Sequence, residues 1–300
     1  MKNNQKYLII INLTAGRGKS QKKLSELIIA LKNHRISYEL RQTKAPKHAI
    51  EITRKAISEG FRKIIAVGGD GTINEVMNGI MLSGKNEEVT LGIIPEGGGN
   101  DFAKNFQIRT NIEKAIETLL TNKTKYVDVG KIEDQYFINS LGIGFDAIVA
   151  QKATRIKFLN GLPRYLVAVF TALINLKFHK WEIITENRKI SAKFLLILFG
   201  NGKYSGGGFK LTPNALVNDG LLNICLVRKI PHLKILKFLP LVIKGEHIDK
   251  KEAEILQSNK IEVISNTKIP IYFDGELPIL NNDKHLVIEL IPKQIRLIIG

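Results

Sequence analysis

Gly68, Gly69, Asp70, Gly71 and Thr72 stand together in the run AVGGDGTINEV, residues 66–76. A β-branched stretch (Ile64, Ile65, Val67) precedes them, and a helix-spaced set (Ile73, Val76, Met77, Ile80) follows. The glycines therefore fall where a strand turns into a helix. Such a turn presents bare backbone N–H groups and the positive end of a helix dipole, which suit a phosphate. Glycine also admits left-handed angles and lets a bulky anion come close. Asp70 is the odd member. A carboxylate repels phosphate unless a magnesium ion lies between them or the carboxylate handles a proton.

The same logic recurs at Gly92–Ala103, where a strand-like run meets Gly97-Gly98-Gly99-Asn100-Asp101 and then a helix start. Asn100 or Asp101 alone reads as a helix cap. Two such turns ending adjacent strands, each with an Asp, point to a shared phosphate site. A third loop, Asn12–Ser20, follows the first strand and contains Gly18-Lys19-Ser20. A P-loop needs glycine five residues before Gly18, and position 13 is leucine, so that reading fails. Asn218-Asp219-Gly220 has the composition of a hairpin turn; Asp219 with nearby carbonyls would also offer hard oxygens to Mg²⁺ or Ca²⁺. Asp274-Gly275-Glu276 ends another strand. An Asp on such a turn is placed to accept a hydroxyl proton.

The elements that carry these residues alternate through the first third. Strands at Tyr7–Asn12, Ser37–Arg41, Lys63–Val67 and Val89–Pro95 are interleaved with helices at Gln21–Asn33, Pro46–Glu59, Thr72–Leu82 and Asn111–Thr121. That pattern predicts a parallel sheet covered by helices on both faces, an α/β domain with ligands at the carboxyl ends of strands. After about Lys125 strands dominate: Val127–Lys131, Tyr136–Leu141, Trp181–Thr185, Lys189–Phe199, Leu221–Val227, Lys260–Ser265, Ile269–Phe273, Leu286–Leu290 and Gln294–Ile299. Short polar turns at Glu186-Asn187 and Asn266-Thr267 predict antiparallel pairing. Helices are expected at Phe145–Ile156, Pro163–Leu176 and Pro231–Ile243.

The chain has 300 residues, one cysteine and a net charge of +17. A single thiol, Cys225, rules out an internal disulfide and fits a reducing cytoplasm with the residue in core packing. Met1–Lys6 leads straight into a short strand, so no signal peptide is expected. The longest uncharged stretch, Tyr165–Leu176, is well short of the roughly 20 residues a membrane span needs. The charge allows nucleic acid, an anionic membrane surface or anionic small substrates. Basic residues are spread along the chain and aromatics are sparse at 7%, with no lysine block interleaved by aromatics, so nucleic acid is not expected. Pro163–Leu176, flanked by Arg155, Lys157, Arg164 and Lys177, and His232–Leu239, which mixes lysine with bulky apolar residues, would dock on an anionic surface. Core helices with solvated lysines explain either segment equally well.

The ordered set GGDGTINEV, the Gly92–Ala103 loop, Asp128 in Val-Asp-Val-Gly, Gly142-Ile143-Gly144-Phe145-Asp146, the glycines near Gly206, Asn218-Asp219-Gly220 and Asp274-Gly275-Glu276 resembles the soluble bacterial diacylglycerol/lipid kinases. These are relatives of sphingosine kinases and, more distantly, of NAD kinases. The resemblance runs from about Ile11 to the end of the chain. It implies a nucleotide-binding α/β domain over residues 1–127, rejoined by a returning strand at 285–300, and a mostly antiparallel β-sandwich lipid domain over 128–284. It implies ATP at the inter-domain cleft against Asn12, Gly16, Arg17, Thr43, Gly68, Gly69, Asp70, Gly71, Thr72, Asn74 and Glu75, with Gly98, Asn100 and Asp101 from the second turn. Asp274 is then the general base. Asp70 places Mg²⁺ and the phosphates. Asp219 with the carbonyls of Leu216 and Leu221 forms a structural magnesium site. Two departures stand out. The family's Asn-Pro is Asn12-Leu13 here, and Gly98 lacks a hydroxyl the family uses on the nucleotide. Arg17 stands where some members place a lysine.

The implied activity is transfer of the ATP γ-phosphoryl group to a lipid hydroxyl, with diacylglycerol the default acceptor. Helix-start amides, Arg17 or Lys19, and Mg²⁺ would neutralise the transferred charge. The enzyme is expected in the cytoplasm, peripheral to the inner membrane face, with a homodimer open. An NAD-kinase-like enzyme and a basic nucleic-acid-binding protein on a degenerate kinase fold are the rival readings.

Overall fold

The computed structural model describes residues 6–16, 21, 23–108, 110–174 and 176–300. Contacts divide the chain into two compact units, Met1–Val127 with Lys293–Gly300, and Asp128–Pro292.

The first unit alternates strand and helix: β1 (Tyr7–Ile11), α1 (Leu24–Asn33), β2 (Tyr38–Gln42), α2 (His48–Ser58), β3 (Lys63–Gly68), α3 (Asp70–Met81), β4 (Thr90–Pro95), α4 (Asp101–Lys104) and α5 (Ile112–Leu120). The apolar, β-branched strands are buried; all five residues of β1 are covered. Strands lie parallel in the order β2-β1-β3-β4, with β1 paired to both β2 and β3. The path leaves β1 in one direction for β2 and in the other for β3. That change of direction opens a crevice at the carboxyl ends of β1 and β3, where ligands of such sheets bind. On one face Ile9, Ile11, Ile65 and Val67 pack with Leu27 and Leu31 of α1 and Ile116 and Leu119 of α5. Helices α2 and α3 press together at Gly79, where a Cβ would lie 2.5 Å from Thr53 Cβ.

The second unit is β-rich: β5 (Thr124–Ile132, shared at its start with the first unit), β6 (Gln135–Phe137), β7 (Ser140–Gly144), α6 (Phe145–Arg155), α7 (Gly161–Leu173), β8 (His179–Thr185), β9 (Arg188–Gly200), β10 (Leu222–Arg228), α8 (His232–Lys244), β11 (Ala253–Ser258), β12 (Lys260–Ser265), β13 (Ile271–Phe273) and β14 (His285–Ile298). Its pairs are antiparallel, β11-β10-β9-β8-β12-β14 in order, and β7 joins β9 to β13. Phe137, Trp181, Phe199, Val263 and Ile288 centre one apolar core. A second core lies under α6, α7 and α8, around Val149, Val169, Leu196, Phe209 and Ile235.

Several expectations need correcting. Tyr136–Leu141 is not one strand: Ile138 and Asn139 leave the ladder between β6 and β7. Leu286–Leu290 and Gln294–Ile299 are one strand, β14, which passes through Pro292 with Lys293 at φ +55°. Ala253–Ser258, absent from the sequence reading, pairs with β10. Glu186-Asn187 does make the two-residue hairpin, Thr185 facing Arg188. Asn266-Thr267 does not, because β12 pairs with β8 and β14 whereas β13 pairs with β7. Asn218–Gly220 is no tight hairpin either: residues 201–221 connect β9 to β10.

Candidate functional site

Asn12 ends β1 at the crevice. Its N–H donates to Val67 O at 3.0 Å, and Thr43 N donates to Ile11 O at 2.9 Å. Asn12 Nδ2 donates to Thr72 Oγ1 at 3.2 Å, while Asn12 Oδ1 accepts from Thr14 N and Oγ1. Gly16 follows with φ +56°. Arg17 and Lys19 lie outside the described residues.

Gly68 ends β3, and a Cβ there would lie 2.6 Å from Thr72 Oγ1, so only glycine fits under the first helical turn. Gly69 is the N-cap of α3 and carries no side chain to cap it. The amides of Asp70, Gly71 and Thr72 open the helix and are suited to an anion. The second glycine turn packs onto the first. A Cβ on Gly97 would lie 2.4 Å from Gly69 Cα, so the two backbones touch. Asp70 Oδ1 accepts from Phe102 N at 3.1 Å, tying α3 to α4. Asn100 sits in the left-handed region at φ +53°. Its Oδ1 accepts from Gly97 N at 2.8 Å, and its Nδ2 donates to Gly97 O. Gly98 stays exposed at the tip of this loop.

The charged residues behind these turns are engaged. Lys104 Nζ is 2.7 Å from Asp101 Oδ1. Lys23 Nζ reaches the buried Glu96 carboxylate at 3.0 Å, a pair that only the structure reveals. Glu75 accepts from Lys47 N and Ala49 N with its two oxygens and so closes the start of α2. Asn74 is buried and accepts from Asn78 Nδ2. The structure thus brings together Asn12, Gly68–Thr72 and Gly97–Phe102. The side chains of Glu75 and Asn74 bond instead to α2 and to Asn78.

In the second unit Asp274 is buried at φ +46°. Three successive amides cradle its carboxylate. Ile138 N donates to Oδ2 at 2.5 Å, Asn139 N to both oxygens at 3.1 and 3.2 Å, and Ser140 N to Oδ1 at 2.9 Å. That cradle is why the chain leaves the ladder at Ile138-Asn139. It fixes the carboxylate's orientation and spreads its charge over the backbone.

Asp128 is fully buried and holds the Leu216–Leu221 loop from below. Its N–H donates to Val217 O at 2.8 Å, and its Oδ2 accepts from Gly220 N at 2.7 Å. Asn201 Nδ2 donates to Asp128 O and Ile138 O, linking this loop to the Asp274 cradle. Asp219 is exposed, with Oδ1 accepting from Leu221 N at 3.1 Å.

Among the described residues no three His, Cys, Asp or Glu side chains gather as a metal cluster. The donors present are hard oxygens. They fit Mg²⁺, which takes one or two carboxylates and fills its shell with phosphate oxygens and water.

Residues 6–132 match the diacylglycerol kinase catalytic domain model, and residues 139–299 match the YegS C-terminal NAD kinase beta sandwich-like domain model. The chain is 30% identical over 270 residues to a diacylglycerol kinase of Bacillus subtilis (strain 168), covering 89% of this chain and 88% of that one. It is 30% identical over 294 residues to a diacylglycerol kinase of Staphylococcus haemolyticus (strain JCSC1435), covering 96% and 88%. A crystal structure of a diacylglycerol kinase from Bacillus anthracis str. Sterne has the same fold, with TM-score 0.76 at 23% identity over 99% and 97% of the two chains. Interlocked glycine turns at the end of a parallel sheet, followed by a β-rich unit with its cradled aspartate, are thus joined to matches along nearly the whole sequence: the chain belongs to the diacylglycerol/lipid kinase family.

Proposed function

We propose that this chain transfers the γ-phosphoryl group of ATP to a lipid hydroxyl, with diacylglycerol as the first acceptor to test. The observation that carries the reading is the backbone contact of Gly69 with Gly97, which sets two phosphate-suited turns side by side at the sheet's crevice. The α3 amides, Asn12 and Thr72 hold the phosphates there. Asp70, with phosphate oxygens, would hold Mg²⁺, which offsets charge on the transferred group. Asp274 accepts the hydroxyl proton as the acceptor oxygen attacks phosphorus and the bond to the ADP oxygen breaks. Its cradle keeps the carboxylate aimed without a reorganisation cost. Asp219 with the Leu216 and Leu221 carbonyls would hold a second, structural cation.

The acceptor resides in a bilayer, so we place the enzyme on an anionic membrane surface from the cytoplasmic side. No described helix is long and apolar enough to cross a membrane. Phe158, Phe170, Ile174 and Leu233 stand exposed at 77, 54, 79 and 77% on and around α7 and α8. Arg155, Lys157, Lys177 and Lys237 flank them. Apolar side chains that insert and cations that meet anionic headgroups are what transient docking requires.

Radiolabelled ATP incubated with a lipid panel, followed by mass spectrometry of the labelled product, tests the reading. A phosphorylated lipid is expected. Label that remains in ATP with every lipid, or moves to NAD, overturns it.

A further inference from the structure

The second glycine turn holds an acid where its backbone is suited to an anion. Glu96 opens that turn, between Pro95 and Gly97, and is 5% exposed. Its N–H donates to Gly68 O at 2.8 Å, so it stands level with the end of β3. The next residue, Gly97, is the one whose backbone touches Gly69. A negative charge in this turn opposes the arrival of another. Burial strengthens the opposition, because little water or salt screens it.

Lys23 meets that charge. Its Nζ lies 3.0 Å from Glu96 Oε1 and also donates to Thr110 O at 3.3 Å. Lys23 is the N-cap of α1 and makes no side-chain cap bond. Thr110 stands just before Asn111, the N-cap of α5. One ammonium therefore joins the starts of two helices to the second turn. The other acid of that turn, Asp101, is matched in the same way, by Lys104 Nζ at 2.7 Å. A carboxylate as deeply covered as Glu96 is retained in a fold only with such a partner.

We propose that the Lys23–Glu96 pair positions the phosphate site. Glu96 anchors the second turn to the starts of α1 and α5, and Lys23 cancels the charge that this anchor brings into a site for anions. Both are positioning residues; neither is assigned a contact with nucleotide. The inference rests on the reading of these turns as the seat of the ATP phosphates.

Charge cancellation and a plain structural tie differ in sign. A tie is weakened from either end, so both single variants would lose affinity. Cancellation makes them diverge: removing the ammonium leaves the site more negative, and removing the carboxylate leaves it more positive.

The test is calorimetric titration of the full chain with ADP, with no lipid present. Lys23→Met should weaken ADP binding about tenfold. Lys23→Arg should restore the wild-type value. Glu96→Gln, whose Oε1 still accepts from Lys23, should bind ADP several-fold more tightly. Lys23→Met with Glu96→Gln should return to within about threefold of the wild type, because the two sites couple. In the kinase assay Lys23→Met should raise the KM for ATP about tenfold and hold kcat. Should Lys23→Met not fold, Lys23→Gln, which keeps a donor and drops the charge, takes its place. Unchanged ADP binding in Lys23→Met, or weakened binding in Glu96→Gln, overturns the proposal. A double variant as weak as Lys23→Met also overturns it and makes Lys23 a direct phosphate ligand. A wild-type chain that binds no ADP sinks the phosphate-site reading itself; one that binds ADP and ignores Lys23→Met sinks only the role of the pair.

Discussion

Gly97 presses on Gly69 so closely that a methyl on Gly97 would lie 2.4 Å from the Gly69 Cα. The neighbour is backbone and cannot rotate away. Gly97→Ala is therefore expected to push the two turns apart and to cost about 1–3 kcal/mol, the usual range for overpacking. Nucleotide affinity should fall with it, because the amides no longer converge. Thermal unfolding and ATP titration of the variant check both. Gly98, exposed at the loop tip, is the contrasting control: Gly98→Thr should fold normally and lower the KM for ATP several-fold, about one hydrogen bond.

Asp274→Asn should lower kcat by about 10²–10⁴ and leave the KM for ATP nearly unchanged. It should also destabilise the second unit. Three amides converge on two carboxylate oxygens, and an amide NH₂ would turn one oxygen into a donor facing a donor. A loss of about 1–3 kcal/mol is expected by chemical denaturation. Full turnover in Asp274→Asn would remove it from the chemistry.

Burial raises Asp146 from an ordinary 3.8 to about 6. The folded chain then holds a proton there that the unfolded chain has released. Between about pH 4 and pH 6 the folded state binds more protons, so this group makes stability fall as pH rises. Above that window the cost is constant, on the order of 3 kcal/mol. Asp146→Asn should flatten that part of the profile and raise stability at pH 7. Denaturation midpoints at pH 4, 5, 6 and 7 test it; an unchanged slope would refute the assignment.

Phe170 and Ile174 lie one helical turn apart, both exposed. Phe170→Ser with Ile174→Ser should weaken pelleting with anionic vesicles about tenfold or more and leave ATP binding and thermal stability unchanged. Equal pelleting of the two proteins, or indifference to vesicle charge, would exclude this face.

The strand–turn–helix setting of Gly68–Thr72 was legible because Ile64, Ile65 and Val67 and the 3.6-residue spacing after them are local signals. The contact of Gly97 with Gly69 was not, because it depends on β3 and β4 being neighbours in the sheet. Asp274 was visible as a turn residue after a strand. Its cradle was hidden, since the amides come from Ile138–Ser140, inside the run Tyr136–Leu141 that reads as one uninterrupted strand. Ala253–Ser258 escaped notice because Glu254, Gln257 and Ser258 dilute its pattern at the edge of the sheet. His247, in a stretch rich in lysine and glutamate, gives no sign of burial; only the packing of residues far apart in sequence encloses it.

Strand β14 begins in the second unit's sheet, opposite β12, and ends beside β4, where Arg296 and Leu297 meet Thr90 and Leu91. The ribosome therefore completes the nucleotide half only after it has made all of the other half. Until then the flank of β4 is an open hydrogen-bonding edge, available to any passing extended segment. Slow translation or loss of residues 293–298 should leave a sticky, aggregation-prone intermediate rather than a working half-enzyme.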